Sequence, residues 1–133
     1  MVAKNNFGYK PKFIYICIYT MRLTQKSILL KIKHKSKGNL KLCKAIDQLI
    51  STIEESEWKT KEEVIRDRPD ADQVHSDGFY FFNISIHRTL VLVELGEDGE
   101  ATIVWAGDHD TYERVFKNSK ATIKKYLSDN GWI

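Results

Sequence analysis

Cysteine and proline are scarce in this 133-residue sequence, which holds only Cys17, Cys43, Pro11 and Pro69 of those types. Two distant thiols can form neither a Cys-x-x-Cys pair nor a cysteine-based zinc site, and they suit a reduced, cytoplasmic chain. No apolar run reaches the ~20 residues of a membrane-spanning helix, so no membrane partner is expected. Acid is missing from the first third: residues 1–44 carry eleven Lys or Arg and no Asp or Glu, whereas residues 45–133 carry ten basic and eighteen acidic residues. A cationic field of that kind suits a polyanionic partner. The alternative is that Lys31, Lys33, Lys35, Lys37 and Lys41 form a solvated helix face or pair with the acidic half. The sequence does have the makings of a core. With 42% hydrophobic residues, six Phe, six Tyr and three Trp, the composition excludes fibrous and disordered chains and fits one globular domain.

Three sections are expected: an extension over residues 1–20, a domain over 21–117 and a helical tail over 118–133. Lys4, Lys10 and Lys12 precede an aromatic and β-branched run at 13–19, the outline of an export signal, but no small-x-small cleavage site follows. Export is therefore kept only as a third class of reading, and Met21 is an equally good start. Thr24 is expected to cap a helix in which Ile28, Leu29 and Ile32 share a face. After the break at residues 36–39, Leu42, Ile46, Leu49, Ile50 and Ile53 recur at helical spacing, giving an N-terminal helical hairpin. Residues 57–78 predict a short helix from about Lys61 and a loop opened by Pro69.

Beyond Gly78 the period falls to two. Tyr80, Phe82, Ile84 and Ile86 alternate with Phe81, Asn83, Ser85 and His87, a strand with one apolar and one mixed face. Residues 89–95 read as a central strand, residues 97–100 as a hairpin turn with Gly99 at positive φ, and residues 102–106 as a third strand. A helix capped by Asp108 or Asp110 follows, then an amphipathic segment over 119–129 bearing Ala121, Ile123, Tyr126 and Leu127. The fold class is α+β, with the hairpin packed on a small, mostly antiparallel sheet.

His109 and Tyr112, at helical spacing beside Asp108 and Asp110, form a group able to move protons. Metal-free RNA cleavage needs such a group together with a cation for the phosphate in the transition state. The plain alternative is that Asp108 only caps a helix while Tyr112 fills a gap. A metal site on Asp108, His109 and Asp110, joined by His87, is disfavoured because adjacent residues rarely converge on one ion, and no cofactor is implied. Arg88, beside His87 at a strand junction, either receives a phosphate or pairs as a turn arginine with a carboxylate.

The order Met21-Arg22-Leu23-Thr24, helical hairpin, Trp58, Pro69-Asp70-Ala71-Asp72, Phe82-Asn83-Ile84 and His109-Asp110-Thr111-Tyr112 resembles the HigB family of RelE-like toxins over about residues 21–116. The resemblance implies a small α+β endoribonuclease that cuts messenger RNA on the ribosome and is silenced by a cognate antitoxin, a HigA-like helix-turn-helix protein. It implies catalytic roles for Arg88, His109 and Tyr112 and RNA or ribosome contacts for Lys26 and Lys33; from their positions beside these residues, Asp108, Asp110 and His87 are expected to support them. The sequence departs from the family pattern where Ser85-Ile86-His87 replaces a longer turn. A non-enzymatic module that holds RNA or protein through its basic helices is the alternative.

Overall fold

The computed structural model describes residues 20–133. Cys17, the run at 13–19 and the expectation of an N-terminal extension lie outside the described residues. In chain order the elements are β1 (Arg22–Thr24), α1 (Ser27–Lys35), α2 (Leu40–Glu54), α3 (Lys61–Asp67), β2 (Asp72–His75), β3 (Phe79–Ile84), β4 (His87–Glu94), β5 (Glu100–Gly107), α4 (His109–Phe116) and α5 (Lys120–Asp129). The fold is α+β, with five helices and a mixed five-stranded sheet among the described residues. The sheet runs β1-β5-β4-β3-β2; β1 is parallel to β5 and every other pair is antiparallel.

Local chemistry explains most of the boundaries. Asn39 caps α2 by accepting the Leu42 amide, and Thr60 with Glu63 forms a capping box at α3. Thr24, expected as a helix cap, instead ends β1. Its hydroxyl lies 2.9 Å from that of Thr102, and the parallel pairing with β5 outcompetes the cap. The chain then turns through Gln25 at φ 59° before α1 begins. Ile86, expected on a strand, sits in the two-residue turn between the paired residues Ile84 and His87, with Ser85 at φ 62°. The positive φ expected at Gly99 belongs to Gly96. Gly78, at φ 99°, is obligatory: a Cβ there would lie 2.6 Å from the Val93 carbonyl oxygen.

Strand alternation divides the interior into two cores, one on each side of the sheet. On one side, Leu29 of α1 and Leu42, Ile46, Leu49 and Ile53 of α2 join Tyr80, Phe82, Ile84, Val91, Val93, Ala101 and Ile103. Full burial is worth ~1.5–3 kcal/mol for each such aliphatic side chain before entropy, enough to explain why α1 and α2 dock there. On the other side, Phe79, Phe81, Leu90 and Val104 meet Tyr112 and Phe116 of α4 and Ile123 and Leu127 of α5. Both faces of β3 are therefore covered, including the one that alternation marked as mixed. Ala121 remains exposed, and Trp132 packs against Phe79.

Candidate functional site

The candidate residues gather where β4 begins and β5 ends. Arg88 is the second residue of β4, paired with Asn83 on β3 and Gly107 on β5. Alternation sends its side chain to the α4 side, where its guanidinium carbon lies 4.7 Å from the ring centre of Tyr112 and 4.9 Å from that of Phe81. Those two rings meet edge to face at 5.0 Å and 85°, and Phe81 meets Phe116 in the same way at 5.3 Å. The electron-rich ring faces attract the cation, a contact worth ~0.5–2 kcal/mol. Arg88 Nη2 is 3.8 Å from Asp72 Oδ2, an ion pair without a hydrogen bond, and its buried Nε finds no acceptor among the described residues. The guanidinium is held against two ring faces, and among the described residues its N–H groups lack a strong acceptor.

The second component comes from the start of α4. Asp108 caps the helix by accepting the Thr111 amide at 2.8 Å. The Thr111 backbone N–H, and then its side chain, hold the Asp108 carboxyl below the usual range; burial opposes this weakly, and the charges of His87 and Arg114 add to it. His109, the first helical residue, is exposed, and its ring lies 6.4 Å from that of Tyr112 at 24° between planes. Asp110 is exposed in the same turn, and the Nδ1 of His87 is buried without a partner among the described residues. Both halves of the plain reading also hold, since Asp108 does cap the helix and Tyr112, 3% exposed, does fill the core. The Tyr112 hydroxyl, however, donates to Asn118 Oδ1 at 3.1 Å.

The backbone around this site is unusual. Lys117 and Asn118 both take left-handed conformations, at φ 53° and 47°, and turn α4 into α5. For a residue such as lysine that conformation costs roughly 1–2 kcal/mol. Gly107 admits no side chain, because a Cβ would lie 2.7 Å from the Trp105 ring, which itself abuts Phe81 and Phe116. Below Arg88, Arg68 makes two bonds to Asp70, at 2.8 and 2.7 Å, and one to the Asn83 carbonyl at 2.8 Å, while Asp70 accepts the Asn83 amide at 2.7 Å. Burial pushes the Asp70 carboxyl up, but hydrogen bonds from Arg68 and Asn83 and the charge of Arg68 outweigh it and leave it below the ordinary range.

Arg88 and His109 are thus each brought to Tyr112, with Asp108 next to His109 in sequence and within reach of the charge of His87, and Asp110 exposed in the same turn. Lys26 and Lys33 are not. They belong to the first helix and its approach, whose core residues pack on the opposite side of the sheet, and they pair with Glu54 at 2.9 Å and Asp47 at 2.7 Å. Sequence reasoning missed Phe81 and Asn118 as parts of the site. Alternation had put Phe81 on the same face as Asn83, opposite Arg88, but no spacing in sequence links Asn118 to a tyrosine six residues earlier. Among the described residues, no group of three or more His, Cys, Asp or Glu is placed to hold a metal ion, and no helix is long and apolar enough to cross a membrane.

The model of the HigB toxin family, described as the RelE-like toxic component of a toxin-antitoxin system, matches residues 43–115. That span covers more than half of the chain and includes Arg88, His109 and Tyr112. No curated protein matches the chain.

Proposed function

The chain belongs to the HigB family of RelE-like toxins, and from that premise we propose that it is a metal-independent endoribonuclease that cuts messenger RNA on the ribosome and arrests translation. The family implies a cognate antitoxin; in this reading it is a HigA-like helix-turn-helix protein in the same cytoplasm. One observation carries the proposal: the Tyr112 ring has on it both the Arg88 guanidinium, at 4.7 Å and with no strong acceptor among the described residues, and the exposed His109 imidazole, at 6.4 Å between ring centres.

Cleavage needs three events, to which the chain brings two groups, Arg88 and His109. The ribose 2′-oxygen loses a proton and attacks phosphorus, charge builds on the non-bridging oxygens, and the 5′-oxygen departs with a proton. Arg88 meets the developing charge, because its N–H groups can turn from Asp72 at 3.8 Å to a phosphate at closer range. His109, exposed at the helix start, carries protons to or from the sugar oxygens. Tyr112 acts chiefly as the seat of Arg88, its own hydroxyl being engaged by Asn118. Lys26 and Lys33 contribute RNA or ribosome contacts by exchanging their exposed carboxylate partners, pairs worth only ~0–1 kcal/mol, for phosphate.

The test is expression of wild type, Arg88→Ala and His109→Ala at equal folded abundance, with purified protein incubated with ribosome-bound message. Growth arrest and RNA cleavage by the wild type alone, unchanged in EDTA and sparing DNA, support the reading, since deoxyribose lacks the attacking hydroxyl. Equal arrest by all three proteins without RNA cleavage overturns it in favour of a binding module.

A further inference from the structure

We propose that Asn118, which lies beyond the family-matched residues, is a positioning residue that holds the Tyr112 ring as the seat of Arg88. The inference deepens the proposed function and rests on it for its kinetic readout only. Its basis is a chain of contacts: Asn118 Oδ1 accepts a hydrogen bond from the Tyr112 hydroxyl at 3.1 Å, the centre of that ring lies 4.7 Å from the Arg88 guanidinium carbon, and it stands 5.0 Å from the centre of Phe81, the two rings nearly perpendicular. Without the first contact, the outer end of the ring has no hydrogen bond among the described residues to fix its tilt.

The ordinary explanation for an asparagine here is conformational, since Asn tolerates left-handed backbone better than most residues and sits at φ 47°. That explanation leaves the side chain free to point anywhere. Instead the amide reaches back over one helical turn to the one hydroxyl on the ring beneath Arg88. The left-handed pair Lys117 and Asn118 makes this reach possible, because it reverses the chain after α4 and sets Ser119 as the cap of α5. The same turn therefore docks α5 and orients the aromatic seat.

Two substitutions separate the roles. Asn118→Gly keeps the left-handed conformation, which glycine adopts freely, and removes the acceptor; Asn118→Asp keeps both an acceptor and tolerance of that backbone. If Asn118 served the backbone alone, the glycine variant would match the wild type. Positioning predicts that Asn118→Gly loses about 3- to 10-fold in RNA cleavage rate, the factor of one neutral hydrogen bond, and that Asn118→Asp recovers most of it. In a Tyr112→Phe background, Asn118→Gly should add less than about 2-fold, because the hydroxyl through which it acts is gone.

The second readout does not use activity. The Arg88 Nε proton, lying against two rings, should resonate upfield in the folded protein and move toward the free-arginine position in Asn118→Gly, with the melting temperature showing that the variant is folded. A glycine variant with wild-type resonance overturns the proposal, as does full additivity with Tyr112→Phe. If the wild type cleaves no RNA while the resonance moves as expected, the functional reading fails and the positioning role stands.

Discussion

The two sides of the sheet are built from different materials. Under α1 and α2 the packing is largely aliphatic, with Leu29, Leu42, Ile46, Leu49 and Ile53 over the sheet, and Lys26 and Lys33 outside it are neutralised by Glu54 and Asp47. Under α4 and α5 it is aromatic, with Phe79, Phe81, Trp105, Tyr112, Phe116, Tyr126 and Trp132 meeting mostly edge to face. Hydrocarbon can only exclude a charge, whereas ring faces attract one. Each side keeps one half-buried cation over a ring, Arg68 over Phe82 at 5.7 Å and Arg88 over Phe81 and Tyr112 at 4.9 and 4.7 Å, but Arg68 is bonded to Asp70 and Asn83, whereas the buried Nε of Arg88 has no acceptor among the described residues. The aliphatic side serves as the foundation.

The sharpest way to break this comparison is to change function without changing stability. His109→Ala should lower RNA cleavage by about 10²–10⁴-fold, the usual contribution of a positioned proton-transfer group, with little change in melting temperature because the side chain is exposed. Comparable losses of both activity and stability would show that the site is not separable from the fold. Next, truncation on the two sides should differ in kind. Phe82→Ala, on the aliphatic side, should cost about 3–5 kcal/mol in denaturant unfolding. Phe81→Ala should cost a similar amount and, under conditions where it stays folded, also release the Arg88 resonance and lower activity, whereas folded Phe82→Ala should leave that resonance in place.

A pH test sharpens the boundary between them. The Asp70 carboxyl, held low by Arg68 and Asn83, contributes stability that is fully present above the ordinary carboxylate value of ~3.9 and is lost as pH falls through its lower folded value. Asp70→Asn should therefore flatten the acid limb of stability below about pH 4, and an unchanged limb in urea titrations would remove Asp70 from the support of β3. The smallest effect belongs to the aliphatic side: Lys33→Ala should change stability by ~0–1 kcal/mol, with the difference fading in salt. Loss of ribosome association by the same variant would show that the exchange of Asp47 for phosphate does occur.

Periodicity made some elements legible in the sequence and left others unreadable. Leu42, Ile46, Leu49 and Ile53 marked α2 because a long helix repeats its signal several times. The three-residue β1 and four-residue β2 carry no more than two full alternations, and Thr24 looked like a cap because a threonine before an apolar run has the same outline in either role. At the site, Asp108, His109 and Tyr112 could be read because one helical turn holds them all. The seat of Arg88 could not, since it depends on Phe81 across a strand pair and on Asn118 after a reversal. The resemblance to HigB toxins extended to the family match, whereas the individual residue roles remain proposals.

The parallel pairing of β1 with β5 also has a consequence in time. Thr24 and Thr102 meet across 78 positions of chain, so the first strand emerges from the ribosome with no neighbour and waits until most of the sequence has been synthesised. Contacts so distant close slowly, because a long loop must be gathered before any pairing rewards it. Arg88 waits longer still, since Tyr112 and Asn118 follow it. A nascent chain cannot assemble the seat of Arg88 until the residues through Asn118 have left the ribosome, so in the proposed reading the site stays unfinished while everything before it is being made.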